Sequence, residues 1–236
     1  GAFAGLTETK DHVVDTDFGQ AEIQSGRLAG QAILFLPRHG MPARFLPHKI
    51  NYRANLKALQ MLGASQILAV TAVGTVSEDL NVPCLVVPDQ IIDYTYGRAL
   101  TFFEDEIHHI DFTHPYDALF RTQLLAAVAE VAESHKEMQA VLSGVYGCTQ
   151  GPRLETKAEV RRLRNDGCSI VGMTAMPEAA LARELELPYA GISVTVNPGA
   201  GMADRDIALA EIHEAMNQGL SWVKLVLAEL LSTPPV

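Results

Sequence analysis

Ser169-Ile170-Val171-Gly172-Met173, then the segment from Met176 to Glu186, then Tyr189-Ala190-Gly191-Ile192-Ser193-Val194-Thr195-Val196 follow one another with almost nothing between them. Read in order, they are a strand, a helix and a strand. The alternation continues outward in both directions. Residues 141–146 read as a strand and 156–165 as a charged helix, while 117–133 place Phe120, Leu124, Val128 and Val131 on one helical face. Residues 66–73 and 84–87 are short apolar runs that fit buried strands. Residues 51–62 carry Leu56, Leu59 and Leu62 at helical spacing and close on Gly63. Residues 21–28 and 33–36 are strands joined by a turn at Ala29-Gly30. The last helix spans about 207–231, striped by Ile212, Met216, Leu220, Val223, Leu227 and Leu230.

Strands alternating with helices, with neither an internal repeat nor a long Pro/Gly/Ser linker, predict a single α/β domain over 1–236. Its centre is expected to be a mixed, largely parallel β-sheet flanked by helices. One polar and aromatic stretch, 93–115, has no period, and loops of that length are usually functional or disordered.

Composition narrows the class. A chain of 236 residues that is 48% hydrophobic can bury a sizeable core. A formal charge of −10 argues against a nucleic-acid partner, which needs a basic face. Cys84, Cys148 and Cys168 are far apart and form no C-x-x-C pair, so they read as thiols filling core space. No apolar run approaches the roughly 20 residues that span a bilayer, and no secretory signal opens the chain. The expected location is cytoplasmic, with no membrane partner.

Polar residues gather where apolar runs end, at Pro37-Arg38-His39-Gly40, Gly151-Pro152-Arg153-Leu154-Glu155, Gly172-Met173-Thr174 and Val196-Asn197-Pro198. In open α/β sheets, ligands collect beyond the carboxyl ends of strands. The planar fork of Arg38 suits two oxygens of an anion, and hydroxyls at Thr71 and Thr174, also read as strand ends, would complete an oxyanion cradle. Met173 can press on a sugar face or simply fill core. Asn197 offers a donor and an acceptor, or a turn with Pro198 and Gly199. Glu155 can accept from ring N–H groups, or occupy the first turn of a helix.

These stretches, together with residues 47–55 (Pro47-His48-Lys49-Ile50-Asn51-Tyr52-Arg53-Ala54-Asn55), Thr71-Ala72-Val73-Gly74 and Met173-Thr174-Ala175-Met176-Pro177-Glu178, carry a resemblance in order along nearly the whole chain. The chain resembles the trimeric purine nucleoside phosphorylases and 5′-methylthioadenosine phosphorylases, and within them the bacterial S-methyl-5′-thioinosine phosphorylases. The resemblance implies that phosphate attacks C1′ of a purine nucleoside, with inorganic phosphate as co-substrate and neither cofactor nor metal. It implies that Arg38, His39, Thr71, Ala72 (through its backbone) and Thr174 bind phosphate. Leu154, Glu155, Met173, Asn197 and Gly199 would bind ribose and base, with Asn197 the catalytic donor to N7. Glu155 would accept from N1–H, which only 6-oxopurines possess; adenine-selective relatives are expected to carry aspartate at Asn197 and no carboxylate at Glu155. An apolar Ile207, where hydroxyl-preferring relatives carry histidine, would suit a 5′-methylthio group. His109 would close that pocket from a neighbouring subunit of a homotrimer or a hexamer.

Two features depart from the family. Its opening strand and Gly-Gly-Thr-Gly-Leu phosphate loop have no match, Gly5-Leu6 being a faint echo, so either the chain begins late or one phosphate contact is missing. Thr75 stands where close relatives have glycine, which puts the geometry after Ala72 in question. Three rival readings stay open: a hydrolytic nucleosidase, a metalloenzyme using His108, His109, Asp111 and His114, and a nucleoside-binding homologue without turnover.

Overall fold

The computed structural model describes residues 5–203 and 209–232. Its strands are β1 (Thr7–Thr16), β2 (Gly19–Leu28), β3 (Gln31–Phe35), β4 (Ile67–Thr75), β5 (Leu85–Val86), β6 (Gln90–Asp93), β7 (Ala140–Val141), β8 (Val145–Cys148), β9 (Ile170–Gly172) and β10 (Tyr189–Pro198). The helices are α1 (Tyr52–Met61), α2 (Ala118–Ser134), α3 (Lys157–Asn165), α4 (Ala175–Glu184) and α5 (Leu209–Ser232).

β10 is the reason for the architecture. Ala190, Ile192, Val194 and Val196 pack on one side with α2 and α5, while Tyr189 packs on the other with α1 and α4. Every residue from Tyr189 to Val196 is buried, Ser193 and Thr195 included, and a strand buried on both faces belongs at a sheet centre. It lies parallel to β4, with Thr71 opposite Ser193, inside a seven-stranded sheet ordered β6-β8-β9-β4-β10-β5-β7. Four of the neighbour pairs are parallel; β4/β9 and β10/β5 are antiparallel. The expected α/β class with a mixed, largely parallel sheet is therefore what the chain forms.

The helices owe their ends to local chemistry. Asn51 caps α1 by accepting from the Ala54 N–H, and Asp117 caps α2 by accepting from Phe120. Thr156 and Glu159 form a reciprocal capping box at α3. α4 is irregular at Met176, whose backbone is extended.

Several expectations need correction. β1 was missed because Thr7–Thr16 is mostly polar and mostly exposed. It is a strand through pairing with β2, reinforced by Gln24 Nε2 donating to Asp11 Oδ1 at 2.8 Å. With β3 it makes a separate three-stranded antiparallel sheet. β6 was also missed. The single strand expected at 141–146 is two: β7 pairs with β5 at one edge, and β8 lies between β6 and β9. The break falls at Gly144, whose N–H donates to Asp89 Oδ1 at 2.7 Å. Thr71 is not at a strand end, since β4 runs on to Thr75. That continuation answers the question about Thr75, which is buried, pairs with Ile170 and accepts from the Gly199 N–H at 2.9 Å.

The long loop is ordered by specific anchors. Glu184 accepts from the Thr101 hydroxyl at 2.6 Å and the Phe102 N–H at 2.8 Å. Arg53 pairs with Glu104 at 2.9 Å and lies over the Phe18 ring, itself packed edge-on against Phe102.

Candidate active site

A cavity of about 460 Å³ is lined by β4, the end of β10, the β9–α4 turn, the 154–155 segment and α5. Arg38, His39, Thr71, Ala72 and Thr174 form part of its wall; Leu154, Glu155, Met173, Asn197 and Gly199 form another part. The structure thus brings together every site residue that the phosphorylase resemblance implies except two. Ile207 lies outside the described residues. His109 is exposed on the 94–116 loop and does not line this cavity.

Arg38 is held before any ligand arrives. Its Nε donates to Glu178 Oε2 at 2.8 Å, its Nη2 to Glu178 Oε1 at 2.7 Å and its Nη1 to the Val70 carbonyl at 3.0 Å. One proton on each terminal nitrogen is left for an anion. Glu178 is 2% exposed, and the Tyr189 hydroxyl donates to it at 3.0 Å. Burial alone pulls the guanidinium down, but the charge and hydrogen bonds of Glu178 outweigh it and hold Arg38 above its ordinary value. Burial and then the Glu178 charge push Tyr189 up, so it stays a neutral donor.

His39 Nδ1 lies 2.8 Å from the Phe45 carbonyl. A carbonyl only accepts, so Nδ1 carries a proton and Nε2 is the ring nitrogen left for a ligand. The Thr71 hydroxyl is paired with that of buried Ser193 at 2.8 Å. Thr174 occupies the N-cap position of α4 and is buried, and its side chain makes no capping bond.

The register of β10 shifts between Thr195 and Asn197. Such a bulge re-aims a side chain, and here Asn197 joins the cavity wall while donating one amide proton to the Pro198 carbonyl at 2.8 Å. Gly199 is required by close approach: a Cβ there would stand 2.5 Å from the Thr75 carbonyl oxygen. Gly151 has φ +62° and leaves room for the Met173 sulfur, which a Cβ would overlap. Glu155 is outside α3, ahead of the Thr156 cap, so the helix-turn alternative does not hold; its carboxylate accepts from the Thr149 hydroxyl at 2.6 Å.

Three groups escaped the sequence reading. Glu178 was visible in Met176-Pro177-Glu178, but nothing in its spacing signals burial against Arg38. Arg98 reaches in from the long loop to the carbonyls of Met173, Met176, Thr149 and Gln150. Ile212, Met216 and Leu220, read as a core stripe, give the cavity an apolar side.

A larger hollow of about 660 Å³ also borders Val196–Gly199. The carboxylates of Glu78, Glu211 and Glu214 line it, which disfavours an anion. No three His, Cys, Asp or Glu side chains among the described residues come together as metal ligands. His108 instead packs on Phe103, with ring centroids 4.0 Å apart. The three cysteines are free and buried, and burial pushes the Cys84 thiol up to about 11 and Cys148 to about 12.

Residues 2–232 match the Phosphorylase superfamily. The chain belongs to that superfamily. It is 48% identical to a probable S-methyl-5′-thioinosine phosphorylase of Pseudomonas syringae pv. tomato, over 97% of this chain and 93% of that one. It is 38% identical to a 6-oxopurine nucleoside phosphorylase of Pyrococcus furiosus, over 95% and 86% of the two chains. Among solved structures, a methylthioadenosine phosphorylase from an antarctic soil metagenomic library superimposes with a TM-score of 0.90 at 30% identity, covering 97% of this chain and 80% of that one. In this superfamily member no helix among the described residues is long and apolar enough to cross a membrane.

Proposed function

We propose that the protein catalyses reversible phosphorolysis of a 6-oxopurine nucleoside, with S-methyl-5′-thioinosine the foremost substrate. The products are hypoxanthine and 5-methylthioribose 1-phosphate. The observation that carries this reading is one cavity lined by the oriented Arg38 and also by the carboxylate of Glu155 and the amide of Asn197.

A phosphate held by Arg38, His39, Thr71, the Ala72 backbone and Thr174 attacks C1′ as the C1′–N9 bond breaks. The anion stabilises the positive charge growing on the sugar, and its pre-set cradle supplies orientation. Electrons from the broken bond pass to the purine, where Asn197 donates to N7 and Glu155 accepts from N1–H. Leu154, Met173 and Gly199 flank ribose and base. A site built to pair a ring N–H discriminates by roughly 10⁴ against an analogue that leaves it unpaired. Ile212, Met216 and Leu220 favour a methylthio group over a hydroxyl, because burying an apolar substituent needs no donor.

Phosphate is the co-substrate and no further cofactor is required. The working form is a homotrimer in which His109 reaches a neighbour's 5′ pocket, and its place is the cytoplasm. The runner-up is a broader inosine and guanosine phosphorylase, favoured by the likeness to a 6-oxopurine enzyme. A methylthioadenosine phosphorylase comes next, favoured by the structural likeness.

The test is base release from methylthioinosine, inosine, guanosine and methylthioadenosine, each with and without phosphate. Phosphate-dependent release, fastest from methylthioinosine, is expected. Full-rate release without phosphate would make the protein a hydrolase. Equal or faster turnover of methylthioadenosine would overturn the Glu155/Asn197 argument.

A further inference from the structure

Thr149 follows β8 directly, and its main chain is held from two sides. Its N–H donates to the Gly172 carbonyl at 2.8 Å, tying it to β9. The carbonyls of Thr149 and Gln150 accept from Arg98 Nη2 at 3.3 and 2.9 Å, and the Gln150 side chain accepts from Arg98 Nε at 3.1 Å. The same guanidinium holds the Met173 carbonyl at 2.9 Å, so this segment and the β9–α4 turn share one clamp.

A hydroxyl on so fixed a backbone is a fixed donor. It lies 2.6 Å from Glu155 Oε1 and 3.4 Å from the Gly172 carbonyl, so its single proton goes to the carboxylate. Among the described residues no other group is hydrogen-bonded to that carboxylate. The neighbouring Arg153 is engaged by Glu159 at 2.7 and 2.8 Å.

We propose that Thr149 is a positioning residue for purine selectivity: its hydroxyl locks Glu155 Oε1 and so presents Oε2 to the ring edge. The inference rests on the base reading given above. A 6-oxopurine meets the fixed oxygen with N1–H. A 6-aminopurine meets it with a lone pair on N1, and the repulsion counts only if the carboxylate cannot swing away. Thr149 therefore strengthens acceptance of one base and rejection of the other.

The test compares kcat/KM for methylthioinosine and methylthioadenosine in the wild type, Thr149→Val, Thr149→Ala and Thr149→Ser. Loss of one hydrogen bond to a charged group is expected to lower the methylthioinosine value about 10- to 100-fold in the Val and Ala variants. The methylthioadenosine value stays level or rises, the KM for phosphate holds, and Thr149→Ser restores the wild-type ratio. A general loss of structure would lower both substrates together and move the phosphate KM, so that pattern in both Val and Ala counts against positioning. A wild-type preference for methylthioinosine that survives intact in both variants overturns the role of Thr149 and leaves the base reading standing. No preference in the wild type overturns both.

Discussion

Glu178→Gln is the most informative single change, because it removes a charge and little volume. In the wild type the carboxylate takes two hydrogen bonds from Arg38, at 2.8 and 2.7 Å, and one from Tyr189 at 3.0 Å. The amide keeps one acceptor, and its NH₂ then faces a guanidinium N–H, donor against donor. Removing one partner of a buried ion pair costs about 3–5 kcal/mol, since the other charge is left uncompensated. Arg38 keeps 15% of its side chain exposed, so partial hydration puts the expected loss at about 3 kcal/mol. Urea unfolding at fixed protomer concentration, without phosphate, measures it. In steady-state kinetics the freed guanidinium lowers kcat/KM for phosphate about 10²-fold, the scale of one misplaced oxyanion donor, while the nucleoside KM barely moves. Replacing both partners, as Arg38→Met with Glu178→Gln, recovers much of the stability and none of the activity. A loss under about 1 kcal/mol with an unchanged phosphate KM would falsify the view that Glu178 holds Arg38 for the anion.

Other expectations follow from the same geometry. Asn197→Asp shifts the ratio of kcat/KM toward 6-aminopurine nucleosides; an unaltered ratio counts against Asn197 reading the base. Gly199→Ala forces a Cβ against the Thr75 carbonyl and Val160. The expected cost is about 1–3 kcal/mol of stability with loss of turnover, and a wild-type melting curve would contradict the close approach. Glu159 is held down to about 2, first by its Arg153 hydrogen bonds and then by the Thr156 N–H. Its contribution is complete above its unfolded value near 4.5 and lost as pH falls through 2. Stability curves of the wild type and Glu159→Gln should therefore differ by under about 1 kcal/mol at pH 7 and converge between pH 5 and 2. Divergence on acidification would contradict the capping box.

Period and punctuation made most elements legible: β10 as a largely apolar run, α2 through its striped face, α3 as a charged helix over 156–165. β1 was not, because an exposed strand paired to a neighbour carries no hydrophobic signal of its own. The division of 140–148 between two distant places in the sheet was equally hidden, since strand order is a long-range property.

For the site, the chain's own residues determined which groups are able to meet an oxyanion, a sugar and a purine edge. Fork-shaped, hydroxyl, amide and carboxylate side chains carry that capacity wherever they stand. What they could not determine was orientation. That Glu178 pins Arg38, that a bulge turns Asn197 inward, that Arg98 and Thr149 steady Glu155, and that α5 lends an apolar wall are decided only once strands far apart in sequence are packed side by side. A hydrogen bond depends on a few tenths of an ångström, and only the assembled core fixes distances so finely.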